Sequence, residues 1–231
     1  MAKNKKAKSP VQKLNDLPKK YFPRNQPKAS LYRDEIIDAV ESLFQNYLKV
    51  NHAATVSLSD IGSIYKQSRI TPPREVVFRG VNQFRYHYEN YCQRTFSYRD
   101  KLLQFLNLML KINLPEKKIY YSPFCDQSIL RKTSLLSTLN KFKKDKILNR
   151  IISDRKLITH RRYYGVSIGM AFQPLQDKEI KSEKEFRDWC KRWQRAIKSR
   201  EEYVHEATKK INKMNEEVVV KLINAKQKKW I

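Results

Sequence analysis

The feature that most constrains this chain is a run of mostly apolar side chains spaced alternately four and three residues apart. From Val77 it passes through Val81, Phe84, Tyr88, Tyr91, Thr95, Tyr98, Leu102, Phe105, Met109 and Ile112. This is a heptad repeat, and at about 1.5 Å per residue it predicts a helix roughly 60 Å long. Thr71-Pro72-Pro73 opens it, since proline is tolerated in a first turn, and Asn113 with Pro115 closes it. A second seam of the same spacing runs through Phe186, Cys190, Trp193, Ile197, Arg200, Val204, Ala207, Ile211, Met214 and Val218. Ser182 with Glu185 forms a capping box at its start. Long apolar stripes of this kind must be covered by other helices.

Two further patterns supply that cover. Ile36, Val40, Leu43, Phe44, Tyr47 and Leu48 repeat on one face after Ser30, a residue suited to an N-cap, with Asp34 and Glu35 in the first turns. Leu135, Leu139, Phe142, Leu148, Ile151 and Ile152 give an apolar face to a region from about Asp126 to His160, with a break near Lys143–Asp145. Residues 51–71 read as a connector with short helical potential around Ser59–Gln67. Gly165, Gly169 and Pro174 mark another connector, holding a short strand or an irregular loop. The expected fold is all-α, an antiparallel bundle of four to five long helices over residues 31–231. Residues 1–30, with eight lysines, one arginine and four prolines, read as a disordered basic arm.

Only four glycines occur in 231 residues, against roughly 7% in average proteins. Neither Gly-x-Gly-x-x-Gly nor Gly-x4-Gly-Lys is present, which points away from nucleotide-cofactor enzymes. Cys92, Cys125 and Cys190 are odd in number and far apart. They read as small, partly buried hydrophobes in a reducing compartment, with no disulfide framework or zinc site. No apolar run is long enough for a membrane span or a signal peptide. The expectation is a cytoplasmic protein without cofactor, metal or membrane partner.

The formal charge is +26, and a surplus of this size implies a polyanionic partner. It is unevenly placed: the arm carries net +8 and residues 116–165 carry net +9. Within residues 141–162, nine basic groups face two acidic ones. In that stretch Arg155 stands five positions before His160. An imidazole ionises near neutrality and suits general acid–base work, while a guanidinium is a permanent planar fork for phosphate.

The string Arg155-Lys-Leu-Ile-Thr-His160 resembles the R-x4–6-H motif of the HEPN superfamily, helical-bundle proteins that include many prokaryotic RNases of toxin–antitoxin and antiviral systems. The resemblance implies a metal-independent endoribonuclease. His160 would be its acid or base, Arg155 would hold the scissile phosphate, and the RNA's own 2′-hydroxyl would attack. It also implies a composite site, with a homodimer bringing two copies of residues 155–160 together, and a possible antitoxin protein as partner. Many members carry Asn or Asp directly after the arginine, where this chain has Lys156. Some carry a tyrosine two positions after the histidine, where this chain has Arg162 and then Tyr163. Lys141, Lys143, Lys144, Lys146, Arg150, Lys156, Arg161, Arg162 and Tyr163 are the candidate RNA-binding residues. Asp154, Asn90, Arg94 and Arg99 are candidates to orient the histidine.

Other readings remain open on the sequence alone. Arg200 and His205 form a second match to the motif, but Glu201, Glu202 and Glu206 surround it, and it reads as a solvated helix face. Trp189, Trp193, Trp230, Tyr120, Tyr121, Tyr163 and Tyr164 lie near basic residues and suit base stacking, although Trp193 and Tyr88 read as core. Residues 57–77 faintly suggest a DNA-reading helix-turn-helix. A non-catalytic helical protein binding RNA or a ribonucleoprotein is the main alternative, and a purely structural coiled coil would leave the basic middle unexplained.

Overall fold

A computed structural model describes residues 28–66, 72–164, 180 and 182–227, with side chains for all of these except 28–33, 121, 157–164, 226 and 227. The arm up to residue 27, the connector over 165–179 and Trp230 lie outside the described residues. Among the described residues the chain is all-α. The helices are α1 (Lys28–Tyr65), α2 (Arg74–Met109), α3 (Tyr121–Cys125), α4 (Ser128–Lys132), α5 (Leu135–Lys144), α6 (Lys146–Tyr164) and α7 (Glu183–Gln227). Three of them are long, at 38, 36 and 45 residues.

The two heptad seams are the core. Every α2 seam residue from Val77 to Met109 is buried. Ile112 falls beyond the helix, which stops at Met109 instead of running to Pro115. Lys111 and Asn113 adopt positive φ there, and the Asn107 side chain clamps the turn by exchanging 3.0 Å hydrogen bonds with both backbone groups of Leu114. On α7 every seam residue from Phe186 to Val218 is buried except Arg200. The capping box forms as its residues predict: Glu185 N–H donates to Ser182 Oγ at 3.2 Å, and Ser182 N–H donates to Glu185 Oε2 at 3.3 Å. Ser182→Ala is expected to lower stability by about 1 kcal/mol in urea denaturation. No measurable change would show that the α7 end frays regardless.

The first helix departs from its sequence reading. It begins at Lys28, ahead of Ser30, and continues without a break through residues 51–65, the stretch read as a connector. Burial explains the difference: Val50, Ala53, Ala54, Ser57, Ile61 and Ile64 continue one buried face at helical spacing, while the hydroxyls bond back to carbonyls four residues earlier. Thr55 donates to Asn51 at 2.9 Å, Ser57 to Ala53 at 2.7 Å and Ser63 to Ser59 at 2.9 Å. Phe44 and Leu48, read as part of the buried face, are exposed at 47% and 44%. The region from Asp126 is also more divided than expected. It breaks at Ser134, whose φ is 60°, and again at Asp145, as the sequence indicates.

The chain divides into two compact units. The first comprises residues up to Leu43, Arg94–Asn149 and the chain from Thr208 onward; the second comprises Phe44–Gln93 and Arg150–Ala207. In the first, the Tyr98 hydroxyl bonds the buried Asn215, and Lys101 pairs with Glu35 at 2.6 Å. The second holds an aromatic cluster in which Phe78 meets Trp189 at 4.6 Å and Trp189 meets Trp193 at 6.0 Å. Both tryptophans are therefore core and offer no stacking platform. α2 packs closely there, since a Cβ on Gly80 would lie 3.3 Å from Asp60 Oδ2 and Ser57 Oγ. The faint helix-turn-helix at 57–77 resolves into the end of one 38-residue helix and the start of a 36-residue one, unlike a recognition pair.

Candidate functional site

The first Arg/His pair lies on α6. That helix is N-capped by Asp145, whose Oδ1 accepts the N–H groups of Ile147 and Leu148 at 2.9 and 3.1 Å. Leu148 and Ile151 anchor its apolar face, which turns other positions toward solvent. Lys156 is exposed and Arg155 half-buried, with Arg155 Nε donating to Gln93 Oε1 at 3.1 Å. The helix runs past His160 to Tyr164 without interruption. At about 100° and 1.5 Å per residue, positions 155 and 160 stand roughly 140° apart around the axis and about 7.5 Å along it. The side chains of His160, Arg161, Arg162 and Tyr163 lie outside the described residues.

Asp154, one residue before Arg155, gathers three partners in the second unit. Its carboxylate is 6% exposed and accepts the Tyr88 hydroxyl at 2.6 Å. Arg150 Nε approaches Oδ1 at 3.3 Å and Arg200 Nε approaches Oδ2 at 3.8 Å. Burial, then neighbouring Cys92 and Asp154, raise the Tyr88 phenol well above its ordinary range, so it stays a donor.

The second Arg/His pair is only half a solvated face. Arg200 occupies a seam position between Ile197 and Val204, and its side chain is only 14% exposed. His205, at the same i, i+5 spacing, leaves the helix on another side. It is exposed, stacks on Tyr47 at 6.0 Å and bonds the Tyr47 hydroxyl through Nδ1 at 3.0 Å. It lines a hollow of about 430 Å³ with Asn51, Leu58, Lys198, Glu201 and Glu202. The sequence signal for Arg200 was its place in the heptad, which outweighs its acidic neighbours.

The candidate basic residues separate between the two units. Lys141, Lys143 and Lys144 form the last turn of α5 and Lys146 opens α6, all within the first unit. Arg150, Arg155 and Lys156 belong to the second unit. Of the candidate orienting residues, Asp154 already holds Tyr88, Arg150 and Arg200. Asn90 bonds Tyr86 O at 3.0 Å, Arg94 bonds Ser42, and Arg99 pairs with Asp100 at 3.0 Å and covers the Phe96 ring.

The remaining chemistry-bearing groups are quiet. Burial, then Lys49 and His52, lower the His87 pKa, which favours neutral imidazole. The three cysteines are free, Cys92 and Cys190 buried and Cys125 half-buried. Burial pushes the Cys190 thiol to about 12. Among the described residues, no three His, Cys, Asp or Glu side chains converge as a metal-ligand set, and no helix is long and apolar enough to cross a membrane. Residues 75–218 match the family described as Cthe2314-like HEPN. No curated protein and no solved structure gives a significant match.

Proposed function

Because this chain belongs to the Cthe2314-like HEPN family, we propose that it is a metal-independent endoribonuclease whose working pair is Arg155 and His160. The observation that carries this choice is the burial of Arg200 against Asp154. An arginine side chain only 14% exposed on a core seam beside an interior carboxylate has little surface left for a scissile phosphate. Arg155 lies one position along the chain from that carboxylate, on a helix whose exposed Arg150 and Lys156 favour an approaching polyanion.

HEPN sites are typically composite, and in this reading the pair acts across two protomers. The roughly 140° between positions 155 and 160 on α6 is compatible with that arrangement. Arg155 of one protomer neutralises charge building on the non-bridging oxygens. His160 of its partner takes the 2′-hydroxyl proton or returns a proton to the leaving 5′-oxygen. Arg161, Arg162 and Tyr163 follow the histidine and extend the contact to flanking phosphates and bases. The setting we propose is a cytoplasmic toxin–antitoxin or antiviral system, with an antitoxin protein as partner.

Incubating the purified protein with RNA and with DNA of the same sequence, in excess EDTA, tests the reaction class. RNA cut to 2′,3′-cyclic phosphate ends, with the DNA intact, is the expected result. RNA bound but uncut at any protein concentration would favour the non-catalytic RNA-binding reading, and cleavage abolished by EDTA would contradict the metal-independent mechanism.

A further inference from the structure

Two adjoining hollows in the first unit, of about 260 and 610 Å³, share Lys141, Asp145 and Lys210. They lie where α5 ends, α6 begins and the stretch of α7 from Lys210 to Glu217 passes. We propose that this groove is a second docking site for the phosphodiester backbone of RNA, separate from Arg155 and His160 and built on Lys144, Lys146 and Lys213. The choice of RNA rests on the function proposed above; the groove itself rests on its charge and construction.

Five lysines line the two hollows and only two carboxylates face them, Asp145 and Glu217. Both carboxylates are engaged. Asp145 Oδ2 takes Lys210 at 2.5 Å while its other oxygen caps α6. Burial alone would raise this carboxyl, but Lys210 and the two cap amides hold it below its ordinary range, so it is ionised at neutral pH. Glu217 accepts the Thr138 hydroxyl at 3.0 Å and meets Lys141 at 3.5 Å. That leaves Lys144, Lys146 and Lys213 with no carboxylate partner among the described residues, and all three are exposed.

Helix-end electrostatics do not account for this convergence. Lysines in the last turn of α5 answer that helix's own dipole. Lys210 and Lys213 stand in the interior of the 45-residue α7, where no dipole end attracts them, and their i, i+3 spacing sets them on one face. The backbone beneath is fixed: Asn149 Nδ2 donates to Lys143 O at 2.8 Å, and the Asp145 cap holds the next turn. Buried Phe142, Leu148 and Met214 form an apolar floor, which limits solvent screening of the charges above it. A single phosphate would leave most of three uncompensated cations unanswered, whereas successive phosphates of a strand match them. None of the exposed large apolar side chains lines either hollow, so the groove offers no anchor for lipid chains.

The test uses the full chain, a labelled single-stranded 30-nucleotide RNA and a series of KCl concentrations. Two triple variants are compared with wild type: Lys144→Gln/Lys146→Gln/Lys213→Gln in the groove, and Lys117→Gln/Lys118→Gln/Lys184→Gln elsewhere. Both lose three charges at exposed positions. The groove triple is expected to reduce the slope of log affinity against log salt by about 2, or about 100-fold in affinity at 0.1 M relative to 1 M salt, from about 0.7 per phosphate for single strands. The control triple is expected to keep most of the slope. Equal slopes for the two triples would overturn the groove, even if the protein cleaves RNA. A groove-specific loss in a protein that binds RNA without cutting it would uphold the groove and sink the nuclease. Loss of binding to phosphatidylserine vesicles, with RNA binding unchanged, would also overturn it.

Discussion

His160→Ala is expected to lower RNA cleavage by about 10²- to 10⁴-fold, the usual contribution of a positioned acid or base, while leaving RNA affinity within a few-fold of wild type. Arg155→Ala is expected to lose a similar factor from phosphate stabilisation. His205→Ala is expected to retain near wild-type activity, because its partner arginine is largely buried beside Asp154 and its own ring is bonded to Tyr47. Single-turnover cleavage, with RNA binding measured in parallel, checks all three. If only His205→Ala removed cleavage, the hollow beside His205 would be the reaction site and α6 a bystander. The comparison is informative because the two copies share the same Arg/His spacing and differ greatly in surroundings.

Asp154→Leu is expected to destabilise the protein by about 3–5 kcal/mol, the usual effect of leaving one member of a buried ion pair uncompensated. Arg200 would keep its charge on the α7 seam, and the Tyr88 hydroxyl would lose its acceptor. The double variant Asp154→Leu/Arg200→Met is expected to recover a large part of that loss, since an apolar pair of similar bulk removes the stranded charge. Urea denaturation of the two single variants and the double variant measures the coupling. A single-variant loss below about 1 kcal/mol, or no recovery in the double, would show that Asp154 and Arg200 are neighbours without being a pair. Since Asp154 adjoins Arg155 in sequence, stability and activity must be measured separately in these variants.

The helical core was legible because heptad spacing leaves little freedom. Val77 to Met109 and Phe186 to Val218 each turn one face inward, and both seams are buried apart from Arg200. Local chemistry was legible too, in the Ser182–Glu185 box and the break at Asp145. What escaped sequence reading was tertiary. The serines and threonines of residues 51–65 look like a connector, but Ala53, Ala54, Ser57, Ile61 and Ile64 are buried there, which keeps the segment helical. Phe44 and Leu48 fit the helical period, yet nearly half of each stays exposed.

The candidate site was legible only in part. The motif identifies Arg155 and His160, but a bare spacing does not say which copy faces solvent. Arg200 sits among glutamates in sequence and against Asp154 in the fold, a partner 46 positions away. The basic stretch from Lys141 to Tyr163 reads as one block. Its first four lysines join Lys210 and Lys213 in one unit, while Arg150 onward belongs to the other.

Complementation between inactive variants tests the central claim most directly. Arg155→Ala and His160→Ala proteins, each inactive alone, are mixed, allowed to exchange subunits and assayed on RNA in EDTA. Half of the randomly paired dimers are mixed and each holds one intact site of two, so about a quarter of the wild-type rate is expected. Mixed dimers verified by mass that still cut no RNA would contradict a pair shared between two copies of α6.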